Sequence, residues 1–307
     1  RLYGLDSRLA PQIVLAGSVA GALTPETASR LGLKQGLPII MGGGDGPVAA
    51  AGAGALAAGD AQASLGTSAW ISFVSDRPQL EPESGLVTYA HVLPGHVVET
   101  GSMQSAGAAL EWAARLLETQ PAIIAEMALR SPMPGADAPL FLPYIQGERA
   151  PWWFSHKGGT LIGLGRSHDR DTVAAAVFEG VLFQLRLILD TFARRGQRTS
   201  ELAVAGAFGK ADAFAQRFAD TTGQPIRPLR NAEHATAMGA AMLGFVGLGV
   251  LPDLKAGQEW VQYEDTRQPG AGQDLATRRY DIFAQSWPAI ADINRRLAEL
   301  GRTTDQE

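Results

Sequence analysis

The chain has 307 residues and no cysteine, which excludes disulfide bonds and thiolate metal ligands. Such a composition is compatible with a reducing cytosol, and we expect a cytoplasmic protein. No apolar run approaches the about 18 residues of a membrane-spanning helix, so we predict no membrane partner. The first fourteen residues lack the charged start and apolar core of a signal peptide, and they do not begin with methionine. We therefore expect the chain to begin within a longer protein.

Excess charge of one sign is also absent. The chain has 26 Lys and Arg against 31 Asp and Glu, a net charge of −5, and its basic residues are scattered. This distribution argues against a nucleic-acid partner. The apolar fraction of 46% is sufficient for a sizeable core in one or two domains. The composition fits a soluble protein with small-molecule ligands better than a nucleic-acid-binding protein.

Two glycine-rich turns and one acid lie between residues 38 and 70. The apolar run Pro38–Met41 ends in three glycines and then Asp45, so a strand is predicted to present a carboxylate on an uncrowded backbone. The turn Leu65–Ser68 offers backbone N–H groups and two hydroxyls, which suit phosphate oxygens. From these residues alone, Asp45 could equally be a turn or cap residue, and the second turn a plain hairpin.

Hydrophobic spacing predicts the helices and strands. We predict helices at 26–31, 48–58, 103–118, 171–194, 211–222 and 232–246, and a helix pair at 280–300. Strands are predicted at 38–41, on both sides of Gly66, at 96–100, at 140–145, at 202–205 and near Ile226. The small residues of 48–58 indicate close packing against another backbone. Three antiparallel strands followed by alternating helices and strands predict an α/β domain with a mixed sheet.

Several separated segments resemble the FGGY family of carbohydrate kinases, in particular its xylulokinase-like members. They are, in chain order, AGSVAGALTPETASRLGLKQGLPIIMGGGDG, SLGTSAW, FLPYIQGERAPWW, GTLIGLGRSHDRDTVAAAVFEGVLFQLR, and FAQRFADTTGQPI with ATAMGAAML. Their ordered agreement is more specific than any single motif. The resemblance implies an actin-like ATPase (ribonuclease H-like) lobe, with helices on both faces of a mixed sheet, preceded by the end of a similar lobe.

The resemblance also implies a domain division. Residues 1–58 would be the remainder of a first, substrate-binding lobe, 59–255 the second, nucleotide-binding lobe, and 256–307 a helical tail. The implied function is ATP-dependent phosphorylation of a sugar or polyol, a ketopentose such as xylulose being favoured, with Mg²⁺ as cofactor. Because the family's first phosphate loop is not among these residues, a nucleotide-binding lobe without turnover remains the alternative. An actin-like assembly protein is disfavoured by the sugar-kinase segments, and a homodimer is left open.

By the same resemblance, Asp45 is the catalytic base that accepts the proton of the substrate hydroxyl. Asp45 and Gly46 are expected to contact the substrate. Relatives commonly carry Asn or Gln at the position of Gly46, and this departure puts the substrate class in doubt.

The nucleotide-binding residues implied by the resemblance belong to three segments. They are the second phosphate loop, the start of a helix and the adenosine motif, with the residues Gly66, Thr67, Ser68, Gly107, Glu111, Gly206 and Lys210. Helix packing is the alternative explanation for Gly107, because a mid-helix glycine costs about 1 kcal/mol relative to alanine. Lys210 could contact phosphate or ribose or be solvated. The adenosine motif also departs from the family's usual Gly-Gly-Gly-Ala at Ala205 and Phe208.

Three further features carry weaker signals. The segment Glu148-Arg149 resembles the family's GER-Pro segment. The neighbouring Trp152 and Trp153 could stack on a sugar or serve as buried loop anchors. His168, Asp169 and Asp171 are predicted to form the start of the long helix, where acids and a capping residue are favourable. The spacing of His91, His96, His156 and His234 does not suit zinc, and we assign no metal ligand.

Overall fold

The computed structural model describes residues 6–130, 134–206 and 212–304. The strands are β1 (Val19–Ala22), β2 (Pro38–Ile40), β3 (Ala61–Leu65), β4 (Ala69–Ser75), β5 (Val87–Ala90), β6 (Val97–Met103), β7 (Leu140–Leu142), β8 (Thr160–Ile162), β9 (Leu202–Gly206) and β10 (Ile226–Pro228). The helices are α1 (Pro25–Leu31), α2 (Asp45–Gly52), α3 (Gly107–Leu116), α4 (Pro121–Leu129), α5 (Arg170–Arg194), α6 (Asp212–Thr222), α7 (Ala235–Gly247) and α8 (Gln273–Thr304).

The largest sheet has six strands in the order β10-β9-β3-β4-β6-β5. Strands β3, β4, β6 and β5 pair antiparallel, as the sequence predicts for the first three of these. Strands β3, β9 and β10 pair in parallel, and helix α6 forms the crossover from β9 to β10. The sheet is therefore mixed, as predicted. Two smaller antiparallel pairs, β1 with β2 and β7 with β8, lie outside it.

Helices cover both faces of the large sheet. Alternate residues such as Ile71 and Phe73 point into one core cluster with α3, α5 and α6. On the opposite face, Val74 and Val98 pack against Ala50 and Ala55. This layering confirms the predicted arrangement of a mixed sheet between helices.

Helix α5 is the central element of the first face. Its start follows the prediction, because the Asp169 side chain accepts a hydrogen bond from the Thr172 N–H at 2.9 Å. By length and composition α5 could cross a bilayer, but 72% of its most apolar window is buried inside the protein. It is thus a core helix of the lobe.

Helices α2 and α7 cross at glycines. A Cβ atom added to Gly52 would lie 1.8 Å from the Ala235 carbonyl oxygen, and one added to Gly239 would lie 2.0 Å from the Val48 carbonyl oxygen. Only glycine permits this backbone contact. The predicted close packing of the small residues is confirmed. The predicted bounds of 48–58 are wrong, because α2 begins at Asp45 and ends at Gly52.

Two other predicted helices need correction. The helix predicted from Met103 begins at Gly107, because backbone pairing of Met103 with Ala69 extends strand β6. The predicted helix pair at the end of the chain is one helix, α8, which continues through Pro288. Strands β1, β5 and β8 and helix α4 were not predicted.

Candidate active site

The predicted acid lies at the start of a helix. Three glycines lead from β2 to α2, and Asp45 is the first residue of that helix. Its Oδ1 accepts a hydrogen bond from the Gly46 N–H at 2.8 Å. Carboxylates are favourable at helix N-termini because of the helix dipole. The Asp45 side chain is exposed, and among the described residues Oδ2 has no hydrogen-bond donor.

Asp45 lines a cavity of about 430 Å³, which we term the acid cavity. Its walls come from the start of α2, β4, β5, β6 and one loop, with the residues Gly44, Asp45, Gly46, Pro47, Ser68, Trp70, Tyr89, Ala90, Thr100, Ser102, Met103, Gln104 and Arg149. A Cβ atom added to Gly46 would meet nothing within 4 Å. The departure at Gly46 therefore leaves open space beside the acid.

A second cavity of about 320 Å³, the loop cavity, is formed by the turn between β3 and β4, the end of β9 and the start of α7. The predicted phosphate-loop residues Gly66, Thr67 and Ser68 and the predicted adenosine residue Gly206 all line it. Ser68 and Trp70 line both cavities. The structure thus places the predicted acid and the predicted phosphate loop on two sides of a shared wall.

The β3–β4 turn is attached to the first turn of α3. The Gly107 N–H donates to the Gly66 carbonyl oxygen at 2.9 Å, and the Ala106 and Ala108 N–H groups donate to the Thr67 carbonyl oxygen at 3.1 and 3.0 Å. These bonds use N–H groups that a helix start leaves unpaired. In the described part of the chain, the Thr67 and Ser68 hydroxyls bond no protein atom, so they are available to a ligand.

Gly107 and Glu111 occupy α3, with Gly107 buried and Glu111 exposed. Neither lines the acid cavity or the loop cavity. The bond from Gly107 to the β3–β4 turn explains its place at the helix start, while nucleotide contact by this pair stays a prediction.

Gly206 ends β9 opposite Leu65 of β3, with a φ of 103°. A Cβ atom there would lie 2.1 Å from the Leu65 carbonyl oxygen, so backbone contact alone requires glycine. Its contact with nucleotide stays a prediction. Lys210 and Phe208, the other residues of the predicted adenosine motif, lie outside the described residues.

Arg149 is a lining residue of the acid cavity that the sequence did not assign to it. The preceding Glu148 is 2% exposed, and its Oε1 accepts hydrogen bonds from the backbone N–H groups of Gln104 at 2.9 Å and Arg149 at 2.8 Å. Burial raises the pKa of Glu148 to about 8. The GER-Pro segment was the sequence signal that could have identified Arg149. Its place at the cavity was not predictable, because it depends on a tertiary contact with the end of β6.

The two tryptophans after this segment do not line the acid cavity. Trp152 packs against a core cluster that contains Tyr144 and Trp287, which fits a loop anchor, whereas Trp153 is 68% exposed. Burial lowers the pKa of His91 to about 4, and its Nδ1 accepts a hydrogen bond from the Leu93 N–H. No group of three His, Cys, Asp or Glu side chains suited to a metal ion occurs within residues 6–130, 134–206 and 212–304.

Comparison with known proteins gives a consistent result. The model of the C-terminal domain of the FGGY family of carbohydrate kinases matches residues 61–248. Xylulose kinase of Escherichia coli (strain K12) is 33% identical over 290 residues, which are 92% of this chain and 59% of that protein. Gluconokinase of Bacillus licheniformis is 27% identical over 73% of this chain and 46% of its own length.

The fold is shared with solved structures. A xyloylose kinase from Brucella ovis superposes with a TM-score of 0.86 and 28% identity, over 94% of this chain and 60% of that one. The chain therefore spans about three fifths of the length of the Escherichia coli and Brucella ovis kinases. The actin-like ATPase fold of such sugar kinases confirms the predicted fold class. Because the family model covers more than half of the chain and the fold matches that of a solved kinase structure, this chain belongs to the FGGY family of carbohydrate kinases.

Proposed function

We propose that the protein containing this chain transfers the γ-phosphoryl group of ATP to a hydroxyl of a sugar or polyol, most favourably a ketopentose such as xylulose. The observation that carries this proposal is the shared wall at Ser68 and Trp70 between the acid cavity and the loop cavity. In-line phosphoryl transfer needs an acceptor hydroxyl at a carboxylate and a phosphate cradle next to it. Asp45 and the Thr67 turn supply these two chemistries.

Asp45 is the base in this proposal. With Oδ1 bonded to the Gly46 N–H, Oδ2 is left to accept the proton of the acceptor hydroxyl. The hydroxyl oxygen forms a bond to the γ-phosphorus while the bond from that phosphorus to the β-γ bridging oxygen breaks, and ADP leaves. Thr67 and Ser68 hold phosphate oxygens through their hydroxyls.

Mg²⁺ bound to the nucleotide would spread the negative charge that develops on the phosphates. The side chains at the loop cavity suit this arrangement, because the hydroxyls of Thr67 and Ser68 are hard oxygen donors. In the part of the chain that the structure describes, no carboxylate cluster forms a cage for the ion. The ion would therefore be held mainly by phosphate oxygens and water.

The proposed acceptor class rests on the relatives and on the open space at Gly46. The matched proteins include xylulose kinases and gluconokinases, and both names indicate a polyhydroxy substrate. Without a side chain at Gly46, the acid cavity has room for such an acceptor. We place the ketopentose first because xylulose kinases predominate among the matches.

The test is an ADP-release assay of the complete protein with ATP and a panel of ketopentoses, polyols and aldonates. We expect the highest kcat/KM for a ketopentose, and phosphorylation of no panel member would overturn the proposed function. Asp45→Ala should lower kcat by about 10²–10⁴-fold with ATP affinity little changed. Asp76→Asn, at an acid whose side chain is 75% exposed, is the matched control. Near-normal phosphorylation by Asp45→Ala would contradict its role as the base.

The 307-residue chain alone offers a second test. It spans about three fifths of its kinase relatives, which favours nucleotide binding without turnover by this chain in isolation. Calorimetry with an ATP analogue and the same ADP-release assay distinguish the two cases. We also propose units at 1–58, 59–255 and 256–307, the second of which the match at 61–248 supports. Limited proteolysis tests this division.

A further inference from the structure

Arg149 is one of two charged residues that line the acid cavity, and Asp45 is the other. The Arg149 side chain is exposed. Within the described ranges of the chain, the Arg149 guanidinium forms no hydrogen bond or ion pair. Because this guanidinium shares the acid cavity with Asp45 and donates to no protein atom in the described ranges, its donors are available to a ligand.

The backbone at Arg149 is held from several directions. Its own N–H donates to Glu148, and the Ala150 N–H donates to the Ser102 carbonyl oxygen of β6 at 3.0 Å. The Ala150 carbonyl oxygen accepts from the Gln184 side chain of α5 at 2.7 Å. Gly85 packs so closely that a Cβ there would lie 2.6 Å from the Arg149 carbonyl oxygen. The Arg149 Cα atom, from which the side chain extends, is therefore fixed relative to the large sheet.

The Glu148 carboxylate joins two walls of the acid cavity. One oxygen, Oε1, accepts both the Gln104 N–H at the end of β6 and the Arg149 N–H. Both donors belong to residues that line the cavity. Burial of a carboxyl group at 2% exposure is unfavourable, and the two hydrogen bonds to Oε1 offset part of that cost. Glu148 thus sets the position of Arg149 relative to β6.

The guanidinium group matches phosphate by its planar, forked donors and its permanent charge. A neutral sugar offers hydroxyls, for which a full positive charge is not required. We propose that Arg149 contacts the phosphoryl group as it passes to the acceptor in the acid cavity, and that Glu148 is the positioning residue of Arg149. This inference rests on the proposed function and adds a cation on the acceptor side of the transferred group.

The test uses the complete protein with Arg149→Met, Arg149→Lys and, as a matched control, Arg77→Met at an exposed arginine outside both cavities. Calorimetry with xylulose and with xylulose 5-phosphate separates binding of the sugar from binding of its phosphate. Arg149→Met should weaken binding of the phosphate ester at least 10-fold and lower kcat at least 10-fold. The affinity for the neutral sugar should change less than 3-fold, and Arg149→Lys should recover part of both losses.

Glu148 is tested by a pair of variants. Glu148→Gln keeps an acceptor oxygen for both N–H groups and should stay within about 3-fold of wild type in phosphate-ester affinity. Glu148→Ala removes the acceptor and should reproduce the loss of Arg149→Met, without a matching loss for the neutral sugar. A folded Glu148→Ala protein with unchanged phosphate-ester affinity would overturn the positioning role, and thermal denaturation checks folding.

Two outcomes separate this inference from the proposed function. Equal losses for sugar and sugar phosphate in Arg149→Met, or none, would overturn the phosphoryl contact even if the wild-type protein is an active kinase. Conversely, a wild-type protein that phosphorylates no acceptor would overturn the proposed function. Arg149-dependent binding of the phosphate ester would still be measured in that case, and its presence would support the cation site.

Discussion

At the scale of single residues, Glu148 should make stability depend on pH. Its pKa is raised to about 8 from an ordinary value of 4.5, so the unfolded state binds fewer protons between these values. The stabilising contribution is fully present below pH 4.5 and is lost as pH rises through about 8. Glu148→Gln should therefore gain stability over wild type with rising pH, by about 4 kcal/mol across the window.

The measurement is urea denaturation of both proteins at pH 5, 6.5 and 8.5. His91 acts in the opposite sense, because its lowered pKa of about 4 removes stability as pH falls below its ordinary value of 6.5. This contribution is common to both proteins and cancels in their difference. Parallel stability curves would show that Glu148 does not titrate in this range.

Gly43, in the turn before α2, and Gly46, the second residue of α2, differ in their surroundings. A Cβ at Gly46 meets nothing within 4 Å, whereas one at Gly43 would lie 2.5 Å from Val92 Cγ1. Gly46→Asn should fold with a free energy of unfolding within about 0.5 kcal/mol of wild type. It should change KM for polyhydroxy acceptors several-fold, because the added amide reaches the acid cavity.

Gly43→Asn is the matched control for this position. Its side chain must displace Val92, which should destabilise the protein by about 1–3 kcal/mol. Denaturation and steady-state kinetics over the acceptor panel measure both effects. Acceptor KM values that Gly46→Asn leaves unaltered would indicate that substrate does not approach the start of α2.

At the scale of elements, the crossing of α2 and α7 should tolerate no added methyl group. Gly239→Ala would place Cβ against the Val48 carbonyl oxygen, and backbone cannot withdraw as a side chain does. We expect a loss of at least about 2 kcal/mol. Gly244→Ala, on the same helix with nothing within 4 Å, should be neutral or stabilising by up to about 1 kcal/mol. Guanidinium denaturation compares the two, and equal effects would contradict a backbone-limited crossing.

The elements also show what could be predicted from the sequence. Helix α5 and the strands around Gly66 were predictable because strong periodicity agrees with burial. Strand β5 was not predictable, because its four residues are mostly exposed and lack a buried face. It is an edge strand that pairs with β6 alone. Helix α8 was predicted as two helices because a proline inside a helix normally ends or kinks it, yet α8 continues through Pro288.

The candidate site divides in the same way. Asp45 and the Thr67 turn carry local signals, a carboxylate after glycines and hydroxyls in a turn, and the structure brings their cavities together. Arg149 lines the acid cavity from a segment that is tied to the end of β6, where Glu148 accepts a hydrogen bond from Gln104, 44 residues earlier in the chain. No local pattern encodes such a contact.

At the scale of the whole molecule, a buried ion pair joins α8 to the core, beside the packing of Tyr280, Phe283 and Trp287. Arg279 donates to the Glu179 carboxylate of α5 at 2.6 to 3.1 Å and to the carbonyl oxygens of Ala138 and Pro139. Burial raises the pKa of Glu179, while the bonds from Arg279 oppose that rise. Arg279→Met should cost about 3–5 kcal/mol, because it leaves a buried carboxylate without its partner.

Arg295→Met is the control on the same helix. Arg295 pairs with Asp292 and Glu299 at a half-exposed surface, where solvent and salt screen the attraction and such pairs contribute little to stability. Thermal denaturation should show a clear drop in Tm for Arg279→Met and little change for Arg295→Met. Similar small shifts for both would mean that α8 contributes little to the stability of the lobe.

The bonds between the β3–β4 turn and the first turn of α3 have a consequence for variation of this site. Every donor and acceptor in that connection is a main-chain atom of residues 66–67 or 106–108. The turn is thus held without help from the side chains of those residues. The hydroxyl of Thr67 can be exchanged for other groups while the loop keeps its place, so the chemistry that the turn presents to the loop cavity can diverge independently of the scaffold that holds it.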